Sequence, residues 1–154
     1  MLLQCPRADR PKGSLSVFKE DLTMNAIEQI TARLQQYPDA KFQSGADFIR
    51  VVPASRDGFK VELTASKDDY TVYFNGWHEN FEDVEEALNC FAFGLSSECR
   101  LKEYRRQNIA YKWTVEYKEA DKWIEESTTG MILFPFWGKL EIRYLQNNLL
   151  SEGE

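Results

Sequence analysis

Several residues on which protein chemistry often depends are scarce in this 154-residue sequence. It contains one histidine, His78, and three cysteines, Cys5, Cys90 and Cys99. A structural zinc site needs four Cys or His ligands, and neither a CxxC pair nor an HExxH motif is present. The glycine-rich phosphate-binding motifs and the GxSxG motif of hydrolases are also missing. We therefore expect no metal site and no cofactor.

Long apolar runs and an excess of positive charge are missing as well. The most apolar window, Met131–Trp137, contains Pro135 and is far shorter than the ~20 residues of a membrane span. Nineteen Lys and Arg against 25 Asp and Glu give a net charge of -6, the wrong sign for binding a phosphate backbone. We expect neither a membrane nor a nucleic acid as partner. The start of the sequence is too polar for a secretory signal, so we expect the cytoplasm.

The composition is that of a globular protein, with 43% hydrophobic and 29% charged residues. A chain of this length can bury a core without metal or disulfide staples. Residues 1–21 mix proline, glycine, serine and charge with little periodicity, and they are predicted to form a mobile leader. Residues 22–150 are predicted to form a single domain.

Two segments have the apolar spacing of an amphipathic helix. Thr23 is the predicted N-cap of the first helix and Asn80 that of the second. The apolar stripe of the first helix comprises Ile27, Ile30, Leu34 and Tyr37. The stripe of the second comprises Phe81, Val84, Leu88, Phe91 and Leu95.

Strands are predicted wherever apolar and polar residues alternate between turn signals. These segments are Phe48–Val52, Phe59–Leu63, Tyr70–Phe74, Cys99–Tyr104, Tyr111–Tyr117 and Trp123–Thr128. Near the end, Leu140–Tyr144 could continue a strand and Leu145–Leu150 could finish as a turn of helix. The order is α-β-β-β-α-β-β-β, with the same topology in both halves. We therefore predict an α+β fold, in which one antiparallel sheet of about six or seven strands carries two helices on one face.

The single histidine is one candidate for chemistry. His78 stands between Trp77 and Glu79, in the predicted connection from the third strand to the second helix. A general base needs a partner that orients it, and Glu79 or Glu82 could serve. The alternative is that His78 is a surface or capping residue.

The aromatic segment that precedes the end of the chain is the second candidate. Pro135 cannot donate to a central strand ladder, so Met131–Trp137 is predicted to be an edge strand or a loop. Its aromatic residues either cover the protein's own core or stand exposed. If Phe134, Phe136 and Trp137 stand exposed beside Trp77, they form an apolar patch of the kind that marks a partner or ligand site.

Five short strings carry a resemblance. They are Gly76–Phe81 (GWHENF), Cys90–Ser96 (CFAFGLS), Ser127–Gly130 (STTG), Phe134–Trp137 (FPFW) and Tyr144–Asn147 (YLQN). Together they resemble a group of small uncharacterised bacterial proteins, which implies no activity and no catalytic residues. The order of elements is also similar to that of the type III secretion chaperones, which dimerise and hold an extended client across a sheet. That second similarity is a fold analogy only.

These observations favour a non-enzymatic interaction module. Its expected partner is a protein, a peptide or a small apolar ligand, and a homodimer is one candidate assembly. The predicted binding residues are Trp77, His78, Phe134, Phe136 and Trp137. The alternative is a small hydrolase or isomerase-like enzyme that uses His78 as general base.

Overall fold

The computed structural model of the protein describes residues 25–150, and the predicted leader lies outside them. The described residues form two helices and nine strands. In chain order these are α1 (Ala26–Leu34), β1 (Lys41–Ser44), β2 (Phe48–Val52), β3 (Val61–Ala65), β4 (Tyr70–Phe74), β5 (Trp77–Phe81), α2 (Val84–Leu95), β6 (Cys99–Arg106), β7 (Ile109–Glu119), β8 (Lys122–Gly130) and β9 (Leu140–Leu145). All pairings between these strands are antiparallel, so the predicted α+β class is confirmed.

Helix α1 begins with a reciprocal cap. The side chain of Asn25 accepts a hydrogen bond from the Glu28 backbone N–H at 2.9 Å, and the Glu28 carboxylate accepts one from the Asn25 N–H at 3.2 Å. These two bonds satisfy backbone donors that would otherwise have no partner within the helix. The predicted cap, Thr23, lies outside the described residues. The predicted stripe is buried at Ile27, Ile30 and Leu34.

Helix α2 begins later than the sequence predicts. The Asp83 side chain caps it by accepting from the Glu85 N–H at 2.8 Å. The predicted cap Asn80 and the first stripe residue Phe81 instead belong to strand β5, which pairs with β4. Acidic residues stabilise the first turn of a helix. An acidic run therefore predicts that a helix begins nearby, but it does not identify which residue is the N-cap. Within the described residues, no helix is long and apolar enough to span a membrane.

The first sheet is a meander in the order β1-β2-β3-β4-β5. Its inner face buries apolar side chains such as Ile49, Leu63 and Val72 beneath the helices, with α1 against β2 and β3 and α2 against β3, β4 and β5. Its outer face is polar, and Arg50 pairs there with Glu62 at 2.7 Å. Partial burial raises the pKa of Glu62, but the hydrogen bond from Arg50 and the charge of Lys60 outweigh it, so the net pKa is lowered.

The second sheet has the order β8-β7-β6-β9. Two-residue turns join β6 to β7 and β7 to β8, with left-handed backbone at Gln107 and Asn108 and again at Ala120 and Asp121. Strand β9 lies on the far side of β6, so residues 131–139 cross the sheet to reach it. The expected single sheet is therefore wrong, as is the expected shared topology of the two halves. The reason is that β6 pairs with β7 and β9 and not with a strand of the first sheet, so the strands after α2 form a sheet of their own.

One buried cluster draws on both helices and both sheets. The Trp77 indole N–H donates to the Ser127 hydroxyl at 2.9 Å, which joins β5 to β8. Trp77 also stacks on Phe74, with ring centroids 4.7 Å apart. Next to Trp77, a Cβ on Gly76 would lie 2.3 Å from the Trp113 ring of β7, so the close approach of the two sheets requires glycine there.

The segment that follows β9 fastens the second sheet to the end of α2. The predicted helical turn at Leu145–Leu150 is wrong, because Leu145 belongs to β9 and residues 146–150 form no helix. The Asn147 amide donates to the Phe59 carbonyl at 3.0 Å and to the Gly94 carbonyl at 2.9 Å. The backbone N–H groups of Leu149 and Leu150 both donate to the Leu95 carbonyl at 3.1 Å.

Replacing Gly94 with Ala is expected to destabilise the protein although Ala favours a helix. A Cβ there would lie 2.3 Å from the Phe74 ring. Overpacking of this kind costs about 1–3 kcal/mol, which exceeds the helix advantage of Ala, about 1 kcal/mol. Gly130→Ala is the matched control, because its nearest neighbour would lie at 3.8 Å. Urea unfolding of both variants checks this expectation, and equal midpoints would contradict it.

Replacing Glu62 with Gln is expected to destabilise the protein at neutral pH but not in acid. Because the pKa of Glu62 is lowered in the folded state, its stabilising contribution is present above the ordinary glutamate pKa, about 4.3. That contribution is lost as the pH falls through the lowered folded-state value. Unfolding curves of wild type and variant measured from pH 7 to pH 3 should converge. A difference that stays constant over this range would show that the carboxylate charge is not its origin.

Candidate functional site

Trp77 is not part of an exposed patch. Its side chain is fully buried, and both its ring and its N–H are engaged within the core. The sequence-based expectation that Trp77 stands exposed beside the aromatic segment is therefore wrong. The physical reason is that Trp77 opens strand β5 on the side that faces α2 and the second sheet.

His78 lies on the opposite side of β5 from Trp77, and it is exposed. Its ring lies beside Tyr73 of β4, with centroids 5.8 Å apart. Glu79 is buried on the other side of the strand. Because neighbouring side chains of a strand point to opposite faces, the expectation that Glu79 orients the His78 imidazole is wrong. The structure does not bring His78 and Glu79 together as an acid-base pair.

The segment between β8 and β9 resolves the two alternatives for the aromatic residues. Five of its apolar side chains are exposed. Met131 is about half-exposed, and the exposed fractions of the other four are 95% for Ile132, 84% for Leu133, 71% for Phe136 and 68% for Trp137. Phe134 is half-buried and stacks on Tyr111 of β7, with centroids 4.4 Å apart and ring planes 8° from parallel. Phe134 thus covers the sheet, while Phe136 and Trp137 do not cover the core.

This segment, which we call the crossing loop (residues 131–139), is fixed to the second sheet at both ends. The Met131 N–H donates to the Tyr111 carbonyl at 2.7 Å. The Arg106 guanidinium of β6 donates to the Gly138 carbonyl at 2.6 Å. Between these bonds, Phe136 and Trp137 meet edge to face with centroids 5.1 Å apart. The exposed aromatic pair is therefore held in place by the hydrogen bonds between the loop and the sheet and by the contact between its two rings.

Strand β9 extends the apolar surface beyond the crossing loop. Leu140, Ile142 and Tyr144 are 39%, 39% and 50% exposed, and they lie opposite Arg106, Tyr104 and Lys102 of β6. This places them on the outer face of the second sheet, which is the face away from the core. We call the exposed apolar residues of the crossing loop and β9 together the aromatic surface. Its members are Met131, Ile132, Leu133, Phe136, Trp137, Leu140, Ile142 and Tyr144.

Cations lie over aromatic rings across the rest of the outer face. The Arg100 guanidinium sits between the rings of Trp123 at 4.6 Å and Tyr144 at 4.3 Å. It also forms an ion pair with Glu116 at 2.9 Å. Lys112 lies over the Tyr104 ring at 4.5 Å. Sequence reasoning missed this arrangement, because Arg100, Trp123 and Tyr144 come from three different strands whose order it did not predict.

The inner side of β9 carries charge instead of apolar groups. Glu141 and Arg143 are half-exposed and form an ion pair at 2.7 Å. The hydrogen bond and charge of Arg143 lower the pKa of Glu141, and Glu141 raises the pKa of Arg143 in turn. Both residues therefore remain charged at neutral pH.

The described residues also line a cavity of about 530 Å³. It opens between the residues after α1, the end of β2 and the segment after β9. Tyr37, Asp39, Lys41 and Asn147 contribute to its mixed polar and apolar wall. None of the five predicted site residues lines it. No group of three or more potential metal-ligating side chains occurs within residues 25–150.

Conservative replacement of two tryptophans separates a core residue from a surface residue. Trp77→Phe is expected to lower the free energy of unfolding by about 1–3 kcal/mol, because the buried Ser127 hydroxyl loses its donor. Trp137→Phe is expected to change it by less than about 0.5 kcal/mol, as exposed substitutions usually do. Denaturant unfolding measures both values. Equal losses would show that Trp137 is as much a part of the core as Trp77.

No protein-family model, no curated protein and no solved structure matches this chain. The candidate site is therefore the aromatic surface defined by its own geometry.

Proposed function

We propose that this protein is a non-enzymatic interaction module that binds a protein or peptide partner through the aromatic surface. One observation carries the proposal. Phe136 and Trp137 are neighbouring aromatic residues with 71% and 68% of their surface in solvent. Contiguous apolar surface is costly to expose to water, and on folded proteins it commonly marks a binding site.

The way in which the aromatic pair is held supports this role. Binding is weakened by the loss of freedom of the groups that become ordered. The stack of Phe134 on Tyr111 and the bond from Arg106 to Gly138 fix the crossing loop before any partner arrives. Aromatic residues also dominate the binding energy of many interfaces. A fixed aromatic pair can therefore supply affinity with a small entropic penalty.

The edge of β9 supplies the directional part of the proposed site. Among the described residues, β9 pairs with β6 and with no other strand. Its remaining edge offers backbone N–H and C=O groups to an added strand, while Leu140, Ile142 and Tyr144 contact alternate side chains of that strand. A partner with an extended apolar segment fits both features.

We favour this role over the His78 enzyme for a geometric reason. A general base needs a group that orients it and a substrate position within reach. His78 lies on an exposed strand face beside Tyr73, and the neighbouring carboxylate of Glu79 is buried on the other side.

We propose that the module is cytoplasmic. Buried cysteines such as Cys90 and Cys99 commonly remain reduced in that compartment.

Site-specific photo-cross-linking in cells that encode this protein tests the proposal. A benzophenone amino acid at position 136 is expected to form a discrete cross-linked product with another protein. The same group at position 52 is the matched control, because Val52 is also exposed, at 41%, but lies in the first sheet. The product is expected to decrease at least about tenfold when Trp137→Ser is added, which corresponds to about 1.4 kcal/mol of binding energy.

Two results would contradict the proposal. One is equal cross-linking at positions 136 and 52, which would indicate random collision. The other is a product at position 136 that does not depend on Trp137. Circular dichroism and thermal melting of each variant confirm that the fold is intact.

A further inference from the structure

We infer that the edge of β9 binds the β9 edge of a second copy of this chain, with the two strands antiparallel about a two-fold axis at Ile142. This inference rests on the proposed function, since it names one occupant of the proposed site. The resulting dimer would join two four-stranded sheets into one continuous sheet. Such an interface is isologous, because the same residues meet from both sides.

The sequence of β9 is charge-complementary to itself in this register. When Ile142 faces Ile142 of the second copy, Glu141 faces Arg143 of the second copy, and Arg143 faces its Glu141. Residues directly opposite on antiparallel strands are close enough for opposite charges to attract. The two-fold axis therefore creates two favourable pairs, and both use residues that are about half-exposed in one chain, at 49% and 51%.

The same alternation already exists inside one chain. On the inner face, Glu103 of β6 lies opposite Arg143, and Arg105 of β6 lies opposite Glu141. A second copy continues this pattern of alternating charge by one more strand. Charged side chains on an edge strand usually prevent strand addition, because a random partner leaves them unmatched. Here one partner matches them, and that partner is β9 itself.

The outer face is self-complementary as well. In the same register Leu140 faces Tyr144 of the second copy, and the two Ile142 side chains meet at the axis. All three residues are partly exposed in one chain, so pairing would remove apolar surface from water on both sides. The inner face thus sets the register by charge, and the outer face contributes apolar contact.

Charge reversal and mixing test this inference on the full-length protein. Glu141→Arg gives a β9 with two positive charges, and Arg143→Glu gives one with two negative charges. Each variant alone is expected to dissociate at least about tenfold more readily than wild type, because like charges then face each other across the axis. An equimolar mixture of the two variants is expected to form a one-to-one heterodimer, because each positive position then faces a negative one.

Sedimentation velocity over a range of concentrations measures dissociation, and native mass spectrometry identifies the heterodimer. Lys122→Glu is the matched control, because Lys122 is exposed on β8 at the opposite edge of the sheet. It is expected to leave dimerisation unchanged. Thermal melting of each variant detects loss of fold, and the mixing result requires both variants to be folded.

Three outcomes would overturn the inference. They are a wild type that remains monomeric at every concentration, a dimer that neither charge reversal weakens, and a mixture that forms no heterodimer. A monomeric wild type whose position 136 still cross-links to a different protein would overturn the dimer and leave the proposed function standing. A dimer that responds to charge, together with no Trp137-dependent product at position 136, would support the dimer and contradict the role proposed for Phe136 and Trp137 in binding.

Discussion

The hydrogen bond from the Trp77 indole to the Ser127 hydroxyl marks the contact on which the architecture depends. Trp77 fills the space between β5 and the second sheet, and its only donor is satisfied from β8. Glycine at position 76 allows Trp113 to approach from β7. Because of this contact, the inner face of the second sheet packs in the core. The outer face of that sheet and the crossing loop are consequently left to solvent.

Local sequence patterns predicted the helices and most strands because each such signal is confined to a few neighbouring residues. The Tyr111–Tyr117 alternation lies within β7, and the stripe from Ile27 to Leu34 lies within α1. Strand β1 was missed because it is short and largely exposed. Strand β5 was missed because the acidic run that follows it is typical of a helix N-terminus, so the end of β5 was assigned to the second helix. The division into two sheets could not be predicted, since it depends on β6 accepting both β7 and β9.

The candidate site was predicted in part for the same reason. Pro135 indicated that the aromatic segment would not form a central strand, and the exposure of Phe136 and Trp137 agrees with one of the two alternatives it left open. The prediction for Trp77 was wrong because it depended on which face of the strand each side chain occupies. A shift of one residue moves every side chain of a strand to the other face. The outer-face cation contacts of Arg100 join β6, β8 and β9, so only the assembled sheet reveals them.

The crossing loop also bears on how this protein reaches its native state. Leu101 of β6 pairs with Leu145 of β9 across a long stretch of chain, and such non-local pairing raises the contact order and slows folding. The hairpins of the second sheet can form before β9 pairs with β6, but the aromatic surface cannot. A chain in which β9 has not paired with β6 therefore lacks the assembled aromatic surface. Its formation is thus a late step of folding, because it requires two strands that are distant in the sequence to pair.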